Sequence, residues 1–312
     1  MTSGSIALTL ASPLLLHGAA PKGSAEIRTA PVRGLLRYWL RAALRGSGAS
    51  TDDVREVEDR IFGSTAGDGG ASQFRFELRS KPGGKEPSGG SQDWFLLPHS
   101  TDERKRKGTT SKGYGCGGEL ELRWLARPGG RPQDRSLVEA LLPVAVALGG
   151  IGGRSRRGFG SLVMPGDRRK VVDLIQALQQ EVHAQKLSGK GSQGLDVPRL
   201  APETCSVLEM KRRPDQSPAK QQFENLLKDV MAICHDVHKG RGAGPTFGKA
   251  SGGRRASALH VRILAQPGSE GPSLRVTVFK AEDAGQPPVR EGMMRFEKGL
   301  DLVKVWGEPW WH

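Results

Sequence analysis

The chain has 312 residues with 47 Lys and Arg against 33 Asp and Glu, a formal net charge of +14. That length favours two domains of about 150 residues each, and the charge favours a polyanion as partner, nucleic acid or an anionic membrane surface. No apolar run approaches the roughly 20 residues that span a bilayer, and a hydrophobic fraction of 36% with Gly 43 and Pro 20 describes packed cores joined by irregular insertions.

In chain order, Ile6 to Leu16 alternates apolar and small or polar residues and reads as a strand. Its apolar end resembles a signal-peptide core, but no basic segment precedes it and a charged helix follows, so a buried strand is the better reading. Ile27 to Arg45 reads as a helix, with Val32, Leu36, Trp39, Leu40 and Ala43 on one side and Arg33, Arg37 and Arg41 near the other. A second helix is predicted over Asp52 to Phe62, capped by Thr51 or Asp52. "QFRFELR" (73–79) and "ELELRWLA" (119–126) alternate as half-buried strands. Between them, 80–118 is glycine-rich and charged, with "ERKRK" at 103–107, and reads as mobile loops or a hairpin insertion.

Ser136 to Leu148 is predicted helical despite Pro143, followed by "GGIGGRSRRGFG" (149–160) and the short strand "FGSLVM". In the second half, helices are expected at Arg168 to Leu187, Ala219 to Val237 and Val289 to Val303, and strands at "TCSVLEMKR", "ASALHVRILA" and "SLRVTVFKA". The tail "VWGEPWWH" is expected to dock on the domain or on a partner subunit. The order describes an α+β protein, with a ferredoxin-like unit carrying an insertion at residues 1–165 and a second unit at 166–312. Cys116, Cys205 and Cys234 are few, odd in number and far apart, which argues against a disulfide framework and for a reducing cytoplasm.

The glycine segment is the strongest motif. It is not a nucleotide P-loop, because Phe159 and Gly160 stand where Lys and Ser/Thr are required. Nor is it a dinucleotide fingerprint, since it follows a helix and precedes a strand. Its glycines permit close backbone approach, and Arg154, Arg156 and Arg157 supply charge, a combination suited to a phosphodiester backbone. Phe159 reads as a core anchor or a stacking face. The second basic feature is 21–45, where Lys22, Arg28, Arg33, Arg37, Arg41 and Arg45 face the single acid Glu26.

"PLLLHGA" at the first strand end, "GSAEIRTAPVRGLLRYWLRAALRG", "GGIGGRSRRGFGSL" and "FGKASGGRRASALHVRIL" together resemble the RAMP superfamily of CRISPR proteins, with the helix segment most similar to the first subunit of type III-B (Cmr) effector complexes. The resemblance implies two tandem RAMP domains of ferredoxin-like fold. It also implies a non-catalytic RNA-binding subunit that contacts the 3′ region of CRISPR RNA or the target RNA beside other RAMP subunits. RNA-contact positions carried over are Gly150, Gly152, Gly153, Arg154, Arg156, Arg157 and Gly160 in the loop, Arg28, Arg33, Arg37 and Arg41 in the helix, and Arg254 and Arg255 in the second domain; Lys22 joins them from the basic segment. No cofactor is implied.

Since some RAMP relatives cleave RNA, a metal-independent endoribonuclease is the alternative, with His17 as candidate base. Asp52, Asp53 and Asp68 lie in or near loops, but each also suits a cap or turn. Cys234 and His238 in "CHDVH" suit one helix face as metal ligands, yet no partner cluster accompanies them, and a helix end is the simpler reading.

Overall fold

The computed structural model describes residues 3–16, 24–65, 70–94, 109–187, 197–211, 225–226, 229–230, 232–233, 246–247, 257–264 and 273–312. The first half holds β1 (Ser3–Leu10), α1 (Ala30–Gly46), α2 (Thr51–Phe62), β2 (Phe74–Ser80), β3 (Gly89–Trp94), β4 (Thr109–Tyr114), β5 (Glu119–Ala126), α3 (Pro132–Leu148) and β6 (Leu162–Val163). Its main sheet is ordered β2-β5-β1-β6, the antiparallel arrangement of a βαββαβ unit. The register places Ile6 opposite Leu122 and Leu8 opposite Leu120, so the apolar set of each strand shares one face and meets the helices.

The second half begins with α4 (Val171–His183), then β7 (Cys205–Met210), β8 (Leu259–Leu264), β9 (Ser273–Phe279), α5 (Pro287–Gly299) and β10 (Leu302–Trp306). Its sheet order, β10-β7-β9-β8, repeats the topology of the first. Residues 225–226, 229–230 and 232–233 are helical and lie between β7 and β8, in the place the first helix of such a unit takes. The α+β class of two ferredoxin-like units is therefore the observed fold.

Local sequence explains the boundaries. The first strand was expected to reach Leu16, but β1 stops at Leu10; Pro13 has no N–H to pair, and the chain regains only a bridge from Leu14 to Tyr114. Helix α1 starts at Ala30 rather than Ile27, with Pro31 in its first turn. Thr29 offers it no side-chain cap, because its Oγ1 accepts from Leu78 N–H at 3.1 Å and ties the helix start to β2. The cap of α2 is Ser50, one residue before the expected Thr51 or Asp52: Ser50 accepts from Asp53 N–H at 3.1 Å, while Asp53 accepts from Ser50 N–H at 2.9 Å. Asp53 thereby has a structural part, and Asp68 lies outside the described residues. Helix α3 runs through Pro143, with every residue from Leu141 to Leu148 buried. The expected closing helix over Val289 to Val303 instead ends at Gly299, and Asp301, at φ 51, turns the chain into β10. The alternation of Leu302, Val303, Lys304, Val305 and Trp306 carried that strand signal.

The insertion forms a hairpin of β3 and β4, antiparallel with Gly89 opposite Tyr114 and Trp94 opposite Thr109; "ERKRK" lies outside the described residues. The hairpin is anchored by reciprocal backbone bonds of 2.9 Å between Leu14 and Tyr114, and by Tyr114 Oη donating to Ala25 O at 3.0 Å. Leu174, Ile175, Leu178 and Val182 of α4 pack into the core of the first half beside α1 and α3. At the other end of the chain, Trp311 is fully buried in the second core, with its indole N–H donating to Glu297 at 2.7 Å and Trp310 packed edge-on. The tail therefore docks on its own domain.

Candidate nucleic-acid interface

The glycine loop folds back on the chain that follows β1. Gly153 N–H donates to Leu15 O at 2.7 Å, Gly160 N–H to Pro13 O at 2.8 Å and Ile151 N–H to Gly160 O at 3.0 Å. Two positions admit only glycine. At Gly160 (φ 61) a Cβ would lie 1.8 Å from Ile151 O, and at Gly152 (φ 82) it would lie 2.5 Å from Leu15 O. The close approach that the glycines permit includes one to the protein's own backbone.

The loop also reaches the second half. Ile151 is buried in the first core and Phe159 in the second, so Phe159 is a core anchor and not a stacking face. Val261 N–H donates to Arg156 O at 3.1 Å, Arg157 Nη2 donates to Phe247 O at 2.6 Å, and Arg156 Nη1 donates to Ser257 O. Arg154 adopts φ 58, a left-handed conformation unusual outside glycine, and burial pushes its pKa down.

On α1, the arginine side meets α2. Arg33 Nη2 donates to Phe62 O at 2.5 Å and Arg37 Nη2 to Gly63 O at 2.8 Å, while Arg41 forms a two-point pair with Glu58, one bond at 2.6 Å. Glu58 is 8% exposed and also lies 3.4 Å from Arg37. The acids missing from the sequence around these arginines come from the next helix. Helix α2 is tied onward by Arg60, which pairs with the fully buried Asp134 of α3 at 2.8 and 2.9 Å.

A groove of 480 Å³ opens on another side of α1, where Arg28, Gly34, Tyr38 and Trp39 meet Gly150, Ile151, Gly152, Gly153, Ser155 and Arg156 of the loop, with Leu15, Leu16 and His260 at its margin. Arg28 is exposed and makes no hydrogen bond or ion pair with the described residues. The Arg156 guanidinium lies 5.2 Å from the centre of the Tyr38 ring, and Tyr38 Oη is 2.8 Å from His260 Nε2. Burial, with Arg156 and Arg157 nearby, holds His260 well below its ordinary pKa, and burial raises that of Tyr38. His260 is therefore neutral, and with the tyrosine hydroxyl protonated it is the acceptor of the pair. Trp39 is fully buried and its indole N–H has no hydrogen-bond partner among the described residues. No acidic side chain lines the groove among the described residues. It is a cationic opening with an aromatic wall.

Of the residues marked from the sequence, Arg28, Gly150, Gly152, Gly153 and Arg156 line this groove. Gly160, Arg154 and Arg157 are not on its lining, and Arg33, Arg37 and Arg41 lie on the α2 side. Lys22, Arg254, Arg255, His17, Cys234 and His238 lie outside the described residues. Tyr38 and His260 escaped sequence reasoning. The available signal was Gly34, an exposed glycine inside a helix with nothing within 4 Å of a Cβ placed there; a helix keeps such a residue at a cost of about 1 kcal/mol, and Tyr38 follows it by one turn.

The RAMP superfamily model matches residues 7–163, which carry the first sheet apart from the start of β1, together with α1 and the glycine loop. The chain belongs to the RAMP superfamily. Among curated RAMP relatives, the CRISPR system Cmr subunit Cmr1-2 of Pyrococcus furiosus is 29% identical over 171 residues, covering 48% of this chain and 89% of that protein. Cmr subunit Cmr1-1 of the same organism is 27% identical over 150 residues, covering 44% of this chain and 40% of that one. The crystal structure of Cmr1 from Pyrococcus furiosus superposes with a TM-score of 0.61 at 18% identity, over 98% of this chain and 99% of that one. A chain in the cryo-EM structure of the type III-B Cmr-beta bound to cognate target RNA gives 0.53 at 12% identity, over 95% and 99%. Among the described residues, no helix is long and apolar enough to cross a membrane, and no three or more His, Cys, Asp or Glu gather as a metal site.

Proposed function

We propose that this RAMP protein is a non-catalytic, RNA-binding subunit of a type III-B effector complex, and that RNA lies in the groove between α1 and the glycine loop. The observation that carries the reading is the groove itself: Arg28 without a hydrogen-bond or ion-pair partner among the described residues, Arg156 held against Tyr38, and loop backbone from Gly150 to Gly153, with no acid among the described residues of the lining. Charge of this kind draws the phosphodiester backbone, and an aromatic wall accepts an unstacked base. Two further facts support it: the likeness to Cmr1 proteins, and a structural neighbour that belongs to a Cmr assembly bound to target RNA. The 3′ region of CRISPR RNA and the target RNA are the strands proposed, with other RAMP subunits as neighbours. Residues 1–165 and 166–312 are the proposed units, with α4 as a helix of the second seated on the first core.

Arg28→Ala tests the reading, since it removes an exposed side chain that makes no hydrogen bond or ion pair with the described residues. RNA affinity is expected to fall about fivefold to tenfold at moderate salt, with the log–log salt slope shallower by about 0.7 for a single strand. Unchanged affinity and slope would remove the groove from the function. The Tyr38–His260 hydrogen bond favours a second reading, a metal-independent endoribonuclease, because acid–base cleavage uses these residue types. Discrete cuts in repeat RNA in the presence of EDTA, lost in His260→Ala, would establish it.

A further inference from the structure

A second opening, of 440 Å³, lies beside the segment that follows the glycine loop, where the end of α3, residues Leu162 to Arg169 and strands β8 and β9 meet. Four guanidinium groups line it: Arg168, Arg169, Arg262 and Arg275. Two have their charge answered nearby, Arg169 by Asp167 at 2.7 Å and Arg275 by Glu209 at 2.6 Å. The other two do not. Arg168 is exposed and makes no ion pair with the described residues. Arg262 is buried, 1% exposed, and its two Nη atoms donate to the carbonyls of Gly149 and Leu162 while its Nε has no partner among the described residues.

Carbonyl oxygens satisfy donors but do not neutralise a cation. Burying one without a counter-charge costs several kcal/mol in a folded protein, and the charge that acts on Arg262 is that of Arg275, which adds repulsion. The lining holds four guanidinium groups and, among the described residues, one carboxylate, Asp167, which is paired with Arg169, so positive charge is left over for an anion. His260, Arg262 and Leu264 occupy alternate positions of β8 and so share one face of that strand. His260 lines the groove and Leu264 lines this second opening, with Arg262 between them. The two openings are neighbours along one strand, separated by the foot of the glycine loop.

We propose that this second opening is a phosphoryl-binding site distinct from the groove, in which Arg262 supplies the buried charge and Arg168 the exposed one. A phosphoryl group suits it because it offers several acceptor oxygens and at least one full negative charge to guanidinium donors arriving from different elements. That group belongs either to a free phosphate ligand or to an RNA strand. The site does not depend on the groove reading, since no residue is shared by the two linings except through the strand that carries them both.

The test uses the full chain, titrated by calorimetry first with inorganic phosphate and then with a short 5′-phosphorylated oligoribonucleotide, at constant ionic strength. Saturable binding of either probe is expected, weakened about tenfold or more by Arg168→Glu, the order of one charge-assisted hydrogen bond. Lys304→Ala, at an exposed residue on neither lining, should leave the phosphate titration unchanged. Because Arg168 is exposed, its variant folds, and a melting curve matching the parent verifies that. Loss of inorganic phosphate binding in Arg168→Glu identifies a free phosphoryl ligand, and loss confined to the oligonucleotide identifies an RNA phosphate. If neither probe binds, or Arg168→Glu binds both as the parent does, the site is refuted while the groove reading stands on its own test.

Discussion

On one side of α1 the arginines end on protein; on another, Arg28 stands at an opening. Arg33, Arg37 and Arg41 are met by Phe62 O, Gly63 O and Glu58, so much of their hydrogen-bonding capacity holds α2 in place. Arg28, a few residues earlier, meets no such partner among the described residues. The difference teaches that a charge run shows where cations are abundant, whereas the packing of the neighbouring element decides which of them remain available to a ligand.

Breaking the tied side should cost stability and little binding. The largest effect is expected from Asp134→Ala, which leaves Arg60, 13% exposed, with Gln185 and the exposed Glu56 as its partners among the described residues: about 3 kcal/mol lost in denaturant unfolding, with RNA affinity unchanged in the folded fraction. Gly160→Ala comes next, at about 2–3 kcal/mol, because it forces a side chain into a left-handed position pressed on Ile151 O; a melting curve within experimental error of the parent would contradict the loop geometry. Glu58→Gln should cost less, about 0.5–1 kcal/mol, since Arg41 is 56% exposed and the pair is partly screened. It sharpens the comparison in a second way. If RNA affinity rises in this variant more than in a control that removes an exposed acid elsewhere, Arg37 and Arg41 are cations held in reserve by Glu58.

The smallest effect belongs to pH. His260 is held neutral, facing Tyr38 from α1 and Arg156 and Arg157 from the loop. Its folded pKa is below the ordinary 6.5, so the unfolded chain takes up a proton before the native one does, and stability falls as pH drops below that value. A His260→Phe variant should show a flatter stability profile between about pH 6.5 and 5 than the parent. Identical slopes would mean that His260 does not titrate differently in the two states.

Much of the fold was legible because strand alternation and helical spacing are local. Phe74, Phe76 and Leu78 declared β2, and the first-half order followed. What escaped depended on distant partners. Nothing near Arg41 in sequence announces Glu58, and nothing near Tyr38 announces His260, which is 222 positions away. The closing helix was drawn too long because Gly299 and Asp301 turn the chain, and a five-residue strand after a helix is a weak pattern until its sheet is known. The glycine loop was located correctly as a feature, but the reason for Gly152 and Gly160 lies in Leu15 and Ile151, which only the folded backbone brings close.

The loop's division between two cores bears on how the molecule comes to be made. Ile151 settles in a core most of whose residues precede it, whereas Phe159, Arg156 and Arg157 wait for Phe247, Ser257 and Val261, about one hundred positions later. A chain emerging from the ribosome therefore carries an unfinished groove until β8 has been synthesised. Synthesis itself thus sets the order of events, and a truncated product ending before β8 would present loose arginines rather than a shaped opening.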